Sequence, residues 1–196
     1  MTTQADAILD LFRETGAYLS GHFRLTSGLH SAEYLQCARV LQHPVRAEAL
    51  GRQLAAAILA LLGSETAGVV VSPAMGGLII GHEVARALGL RHIFTERDES
   101  GKMTLRRGFA LSPGERAVVV EDVVTTGGST REVVALLRAE GALPLAAGSI
   151  IDRSGGEAAV GVPRVALATL RAVSYAPESC PLCREGVAVV KPGSRK

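Results

Sequence analysis

The chain contains no tryptophan, and with four phenylalanines and three tyrosines aromatics make up only 4% of its 196 residues, so its core must be filled by aliphatic side chains. Three cysteines are too few for a disulfide framework. The N-terminus, Met-Thr-Thr-Gln-Ala-Asp, has no basic region followed by an apolar run, which points to a cytoplasmic setting with reduced thiols. No uninterrupted apolar stretch of about 18 residues is present to span a bilayer, so no membrane partner is expected. A net charge of +2 without a basic stretch gives no surface for nucleic acid. Neither an internal repeat nor a linker-like shift in composition divides the chain, and one domain over residues 1–196 is expected, long enough to bury roughly 70% of its unfolded surface. What is plentiful is glycine, at 22 residues, within a composition of 47% hydrophobic and 20% charged residues that suits an α/β protein with many tight turns.

The rest of the chain is organised around residues 118–130, Val-Val-Val-Glu-Asp-Val-Val-Thr-Thr-Gly-Gly-Ser-Thr. Three β-branched residues make a buried strand, Glu121 and Asp122 end it, and small residues turn it into a helix starting near Ser129. The hydroxyls of Thr125, Thr126, Ser129 and Thr130 and the amides around Gly127 and Gly128 converge on one point, where the helix N-terminus adds its positive end. A phosphate monoester fits there. The two carboxylates would repel that phosphate and suit a sugar diol beside it, so the implied ligand is a ribose 5-phosphate. A Walker A loop is excluded, because no lysine follows the glycines. The plain alternative, a turn rich in small residues beside a solvated acidic pair, leaves the two acids against the threonines and glycines unexplained.

Upstream, Ile8, Leu9, Leu11 and Phe12 recur at helical spacing over residues 6–15, with Gly16 as the stop. Residues 21–36 alternate around Phe23 and Leu25, turn at Gly28 and resume at Tyr34 and Leu35, a hairpin outside the α/β repeat. Pro44 and Gly63 bracket a long helix with Leu50, Leu54, Ile58 and Leu61 on one face. A strand at residues 69–71 opens into Ser-Pro-Ala-Met-Gly-Gly-Leu, and a helix then runs to about Leu88. Gly76 and Gly77 allow either close approach of a ligand to backbone amides or close helix packing. After a strand at residues 91–96, the charged segment 97–108 has no apolar periodicity and reads as a surface excursion or a mobile lid.

Downstream of the central motif, a helix over residues 129–140 turns Val133, Val134, Leu136 and Leu137 inward before Gly141 ends it. A strand over residues 145–151 closes with Asp152-Arg153-Ser154-Gly155-Gly156, and residues 165–170 form a last strand. Arg153 lies at a strand's carboxyl edge, where open α/β sheets bind ligands, and its planar fork suits a carboxylate. Pairing with Asp152 or a neighbouring acid is the alternative.

The strand, the two acids and Thr-Thr-Gly-Gly-Ser-Thr together resemble the signature of type I phosphoribosyltransferases, which bind 5-phosphoribosyl-1-pyrophosphate (PRPP). The hairpin, the two loops, the charged segment and the Asp-Arg turn follow in the order found in orotate phosphoribosyltransferases. The resemblance implies an α/β fold with a central, mostly parallel sheet flanked by helices and a small N-terminal hood over about residues 16–40. It implies orotate and PRPP as substrates, Mg²⁺ held mainly through PRPP and not by a dedicated protein site, and a homodimer whose lid, residues 97–108, reaches the neighbouring site. By position, PRPP binding falls to Glu121, Asp122, Val123, Val124, Thr125, Thr126, Gly127, Gly128 and Ser129 with Gly76 and Gly77, orotate binding to Thr125 and Arg153, and catalysis to Lys102 and Arg97. Better-known members carry lysine where this chain has Thr26 and Gly76, and a histidine near the lid's end where this chain has Leu105, Arg106 and Arg107. Their spacing from the lid arginine to its lysine is also one residue shorter. The alternatives are a phosphoribosyltransferase for a purine or other base, and a PRPP-sensing regulator without catalysis.

The tail carries Cys180-Pro-Leu-Cys183, half of a tetrahedral zinc site. With Cys37 the one other cysteine, completing it needs a histidine or a second subunit. A structural turn and a redox pair are the other readings, although no thioredoxin-like unit surrounds the cysteines.

Overall fold

A computed structural model describes residues 3–25, 28–171 and 173–192; Thr26 lies outside them. Helix α1 (Gln4–Glu14) begins at a Thr3 capping box and buries Ile8 and Phe12. Strands β1 (Tyr18–Arg24) and β2 (His30–Leu35) form the expected antiparallel hairpin around Gly28, whose φ of +85° suits the turn. A short helix α2 (Ala38–Leu41) leads into α3 (Pro44–Leu62), which buries Leu50, Leu54 and Ile58 but leaves Leu61 39% exposed, with Ala47, Gly51 and Ala55 completing the inner face instead. There follow β3 (Val69–Pro73), α4 (Gly77–Leu88), β4 (Arg91–Arg97) and β5 (Met103–Leu105). Next come β6 (Arg116–Val124), α5 (Gly128–Ala139), β7 (Leu143–Asp152) and β8 (Arg164–Thr169). The two-residue strand β9 (Ser174–Tyr175) and the single turn α6 (Pro181–Arg184) close the chain.

The main sheet has the order β5-β4-β3-β6-β7-β8, parallel except for β5. Alternation along β6 divides its core. Val118 and Val120 pack with α1, α3 and α4 on one face, while Ala117 and Val119 pack with α5 and Met103 on the other. After β3 the chain moves outward to β4, then returns to the opposite side of β3 as β6, so the carboxyl ends of β3 and β6 flank the switch point at which open α/β sheets bind ligands.

Two features depart from expectation. Strand β6 does not end at the acids but runs through them to Val124, held by pairing of Val123 with Ile151 and Val124 with Asp152. In the charged segment after β4, where a loop or hairpin is expected, Glu96 and Arg97 pair with Thr104 and Met103 as a hairpin, and the burial of Met103 is the unexpected part. The single methionine of this segment is no periodic signal, and pairing to the sheet edge supplies the order that periodicity did not announce. Residues of the tail also return to the hairpin, where β9 pairs with β2 to make a separate three-stranded sheet.

Candidate active site

A cleft of about 920 Å³ opens above the carboxyl ends of the central strands. Arg97, Asp122, Val123, Thr125, Thr126, Gly128, Ser129 and Arg153 all line it, with Leu25, Leu29 and Tyr34 of the hairpin region on its far side. The candidate residues Lys102, Glu121, Val124, Gly76, Gly77 and Gly127 do not. Lys102 is exposed at the hairpin, where its amide donates to Asp98. Gly127 is buried beneath the loop.

The loop itself is an anion cradle. Gly127 caps α5 in the left-handed region, with φ of +75°, and no side chain caps the helix. Among the described residues, the first amide of this helix to find a protein carbonyl is that of Arg131, bonded to Gly127. The N–H groups before it face the cleft edge together with the exposed hydroxyls of Thr125 and Thr126 and the partly exposed Ser129. Thr130 does not join them. It is buried, and its hydroxyl donates to Glu121 at 3.3 Å.

Gly127 is required here twice over, by its backbone angle and by space. A Cβ on it would lie 2.8 Å from Cγ1 of the buried Val160. Gly127→Ala is expected to lower the melting temperature by about 5–15 °C and to weaken PRPP binding. Thermal unfolding with and without PRPP checks both, and a variant as stable as the parent would contradict the packing argument.

Because side chains alternate along a strand, the two acids part company. Glu121 turns toward α5 and Thr130, whereas Asp122 turns toward α4, so close to Gly76 that a Cβ there would sit 2.5 Å from Asp122 Oδ1. Any side chain at position 76 would have to displace the Asp122 carboxylate, so glycine suits this arrangement. Only Asp122 lines the cleft. Burial, then the charge of Asp122, pushes Glu121 up to about 8, against the pull of Thr130 and Arg97. Asp122 is raised too, by burial, and the amide of Val123 donates to it. On the β3 side His92, bonded to Ser72 at 2.7 Å, is held down at about 4 by burial and by His82.

These shifts give a stability profile. Between its ordinary value and about 8, Glu121 keeps a proton in the folded state that the unfolded chain has released, so its contribution falls as pH rises. His92 acts oppositely between about 4 and its ordinary 6.5, which leaves Glu121 to dominate from about 6.5 to 8. Stability is expected to decline through that interval, Glu121 contributing at most about 1.4 kcal/mol per pH unit and the raised Asp122 acting in the same direction. Glu121→Gln should flatten the decline; melting temperatures that rise with pH there would contradict it.

Cations line the remaining walls. Arg97 makes a two-pronged ion pair with Glu132 of α5, at 2.7 and 3.1 Å, which ties the base of the β4–β5 hairpin to the anion helix. Outside the cleft, Arg107, in the left-handed region at φ +59°, pairs with Glu96. Arg153 differs from both. Asp152 pairs with Arg164 at 2.7 Å instead of its neighbour, and Arg153 is 7% exposed with one bond, from Nη2 to the carbonyl of Glu33 at 3.2 Å. Its buried Nε has no partner among the described residues. Such a guanidinium is a standing receptor for an anion.

The phosphoribosyl transferase domain family matches residues 38–176. The chain is 56% identical to the orotate phosphoribosyltransferase of Pelotomaculum thermopropionicum, over 97% of this chain and 98% of that protein. It is 54% identical to that of Heliobacterium modesticaldum, over 97% and 98%. Among solved structures it is similar to orotate phosphoribosyltransferase from Aeropyrum pernix, with a TM-score of 0.69 and 28% identity over 84% of this chain and 94% of that one.

Proposed function

The chain belongs to the orotate phosphoribosyltransferases, within the phosphoribosyltransferase family, and from that premise we propose that its cleft joins orotate to PRPP, releasing pyrophosphate and orotidine 5′-monophosphate for pyrimidine biosynthesis. The observation that carries the reading is Arg153, a buried guanidinium with an unmet donor across the cleft from an anion cradle. A base bearing a carboxylate satisfies it, whereas a neutral purine or uracil leaves it unpaired.

On this reading Thr125, Thr126, Gly128 and Ser129 hold the 5′-phosphate through hydroxyls and amides, over the support of Gly127. Asp122 accepts from the ribose hydroxyls, with Val123 and Val124 as the backbone that positions it. Glu121 acts from behind, bonded to Thr130, and not as a direct ribose ligand. Gly76 and Gly77 begin α4 beside Asp122, where backbone amides can approach the pyrophosphate. Arg153 orients orotate, with Thr125 nearby, so that a ring nitrogen faces the anomeric carbon. The protein accelerates the transfer mainly by placing its two substrates.

Mg²⁺ would enter with PRPP, carried mainly by its diphosphate oxygens, and Asp122 is a carboxylate in the cleft wall that could add to its support. Bound there, it would offset charge on the departing pyrophosphate. Lys102, with Arg97 at the base of its hairpin, supplies further positive charge, offered across the dimer to the neighbouring subunit's site. We assign the chain as a single domain, acting as a homodimer in the cytoplasm. No helix among the described residues is long and apolar enough to cross a membrane. Formation of orotidine 5′-monophosphate from orotate and PRPP, abolished by chelator and restored by Mg²⁺, tests the reading. PRPP binding without turnover of any base would instead make the protein a sensor.

A further inference from the structure

The tail cysteines find their partners in the hood. His22 on β1, His30 on β2, Cys180 before α6 and Cys183 within it bring four ligand atoms within 4.8 Å of one another. The geometry points to a structural zinc site formed by His22 Nε2, His30 Nδ1 and the two Sγ atoms.

Four observations carry it. First, the ligand set is a two-histidine, two-cysteine group with no open position, the composition of closed structural zinc sites and not of catalytic ones. Second, the Sγ–N separations are 3.5 Å (Cys180 to His22), 3.7 Å (Cys183 to His22) and 3.3 Å (Cys183 to His30). Zinc bonds of about 2.0–2.3 Å in a tetrahedron set such edges at roughly 3.3–3.8 Å. The ring nitrogens, at 2.8 Å, are at the spacing of a shared proton, which a metal would replace while moving the rings apart by about 0.5 Å. Third, the outer contact is in place. His22 Nδ1 meets the carbonyl of Val187 at 2.7 Å, and since a carbonyl only accepts, the proton sits on Nδ1 and Nε2 turns its lone pair to the cluster. Fourth, the cluster is enclosed. His22 and His30 are 3% and 7% exposed and Cys180 is fully buried, leaving Cys183 alone at the surface.

The backbone after the cysteines is shaped as a knuckle. The amides of Arg184 and Gly186 bond to the carbonyls of Cys180 and Cys183, and Gly186 turns the chain at φ +72°. The tail then runs beside β1, where Val190 bonds to His22 and Arg24 through their backbones. Zinc would thus staple the tail to the hood, the sheet whose Glu33 carbonyl holds Arg153. All four ligands lie outside residues 38–176, the span matched by the family, so the assignment does not rest on the activity proposed above.

Protein purified without chelator or a metal-affinity tag is expected to contain one zinc per chain by elemental analysis, released when both thiols are blocked by a mercurial. Stripping the metal should lower the melting temperature by about 10 °C. Zn²⁺ should restore it and Mg²⁺, which prefers oxygen ligands, should not. Co²⁺ added to stripped protein should give the intense visible bands of a tetrahedral thiolate site, and Cys183→Ser and His30→Gln should weaken them. Because the zinc content, the thermal shift and the Co²⁺ spectrum of the parent use the unaltered chain and no substrate, they stand even if a variant fails to fold. Metal-free protein with two titratable tail thiols, no response to Zn²⁺, or a Cys180–Cys183 disulfide would overturn the proposal.

Discussion

Arg153→Ala is expected to lower kcat/KM for orotate by about 30- to 5000-fold while leaving the KM for PRPP within about threefold of the parent. The size follows from truncating one partner of a buried, charge-assisted pair, which costs about 2–5 kcal/mol. The selectivity follows from position. Arg153 is anchored by the backbone of β7's end, its amide bonded to the Val124 carbonyl, and its side chain leans on the Glu33 carbonyl of the hood, away from the anion loop. Nor is it a structural ion pair, since Asp152 is occupied by Arg164, Ser154 and the Gly156 amide. Steady-state kinetics with each substrate varied in turn checks the result. An equal loss of affinity for PRPP would show that Arg153 supports the whole cleft and recognises no base.

If the chain acts as the proposed homodimer, Lys102→Ala and Arg153→Ala, each close to inactive alone, are expected to recover about a quarter of parental activity when their subunits are mixed and reassociated. Lys102 does not line the cleft of its own chain, and the hairpin holding it is pinned by Met103 in the core and by the Arg97–Glu132 pair. If its ammonium serves the neighbouring subunit, half of the mixed dimers are hybrids, and each hybrid has one site with both residues intact. Loss of Lys102 alone is expected to reduce kcat by about 10²–10³ with little change in PRPP affinity, as for removal of a group that meets charge developing in the transition state. Mixing that restores nothing would place Lys102 in its own subunit's site, and an unchanged rate in the single variant would remove it from catalysis.

The framework was readable because its signals are local. The β-branched run at residues 118–120, glycines after helices, and a strand followed by acids and a small-residue loop each report on neighbours in sequence. Arg153 was legible for the same reason, as the residue after a buried strand. What escaped depends on distant pairing. Nothing near Met103 marks it as buried, and β9 exists only because β2 offers an edge. The continuation of β6 through Glu121 and Asp122 was also hidden, since it rests on β7, and with it went the separation of the two acids. Thr130 shows a related limit. Its place in the motif suggested the phosphate, whereas one further residue along the helix turns its hydroxyl inward to Glu121. The His–Cys cluster is the extreme case, with His22 and Cys180 separated by 158 positions; the spacing of the cysteines was visible and their partners were not.

The central claim is that this cleft selects a carboxylated pyrimidine for transfer to the ribose of PRPP. It is tested most directly by incubating the protein with PRPP and Mg²⁺ and following orotate absorbance, with uracil, adenine and hypoxanthine assayed in parallel for nucleotide product. The expected result is PRPP-dependent consumption of orotate, with the other three bases at least 10³-fold poorer in kcat/KM because each leaves Arg153 unpaired. Comparable turnover of uracil or a purine would contradict the role given to Arg153.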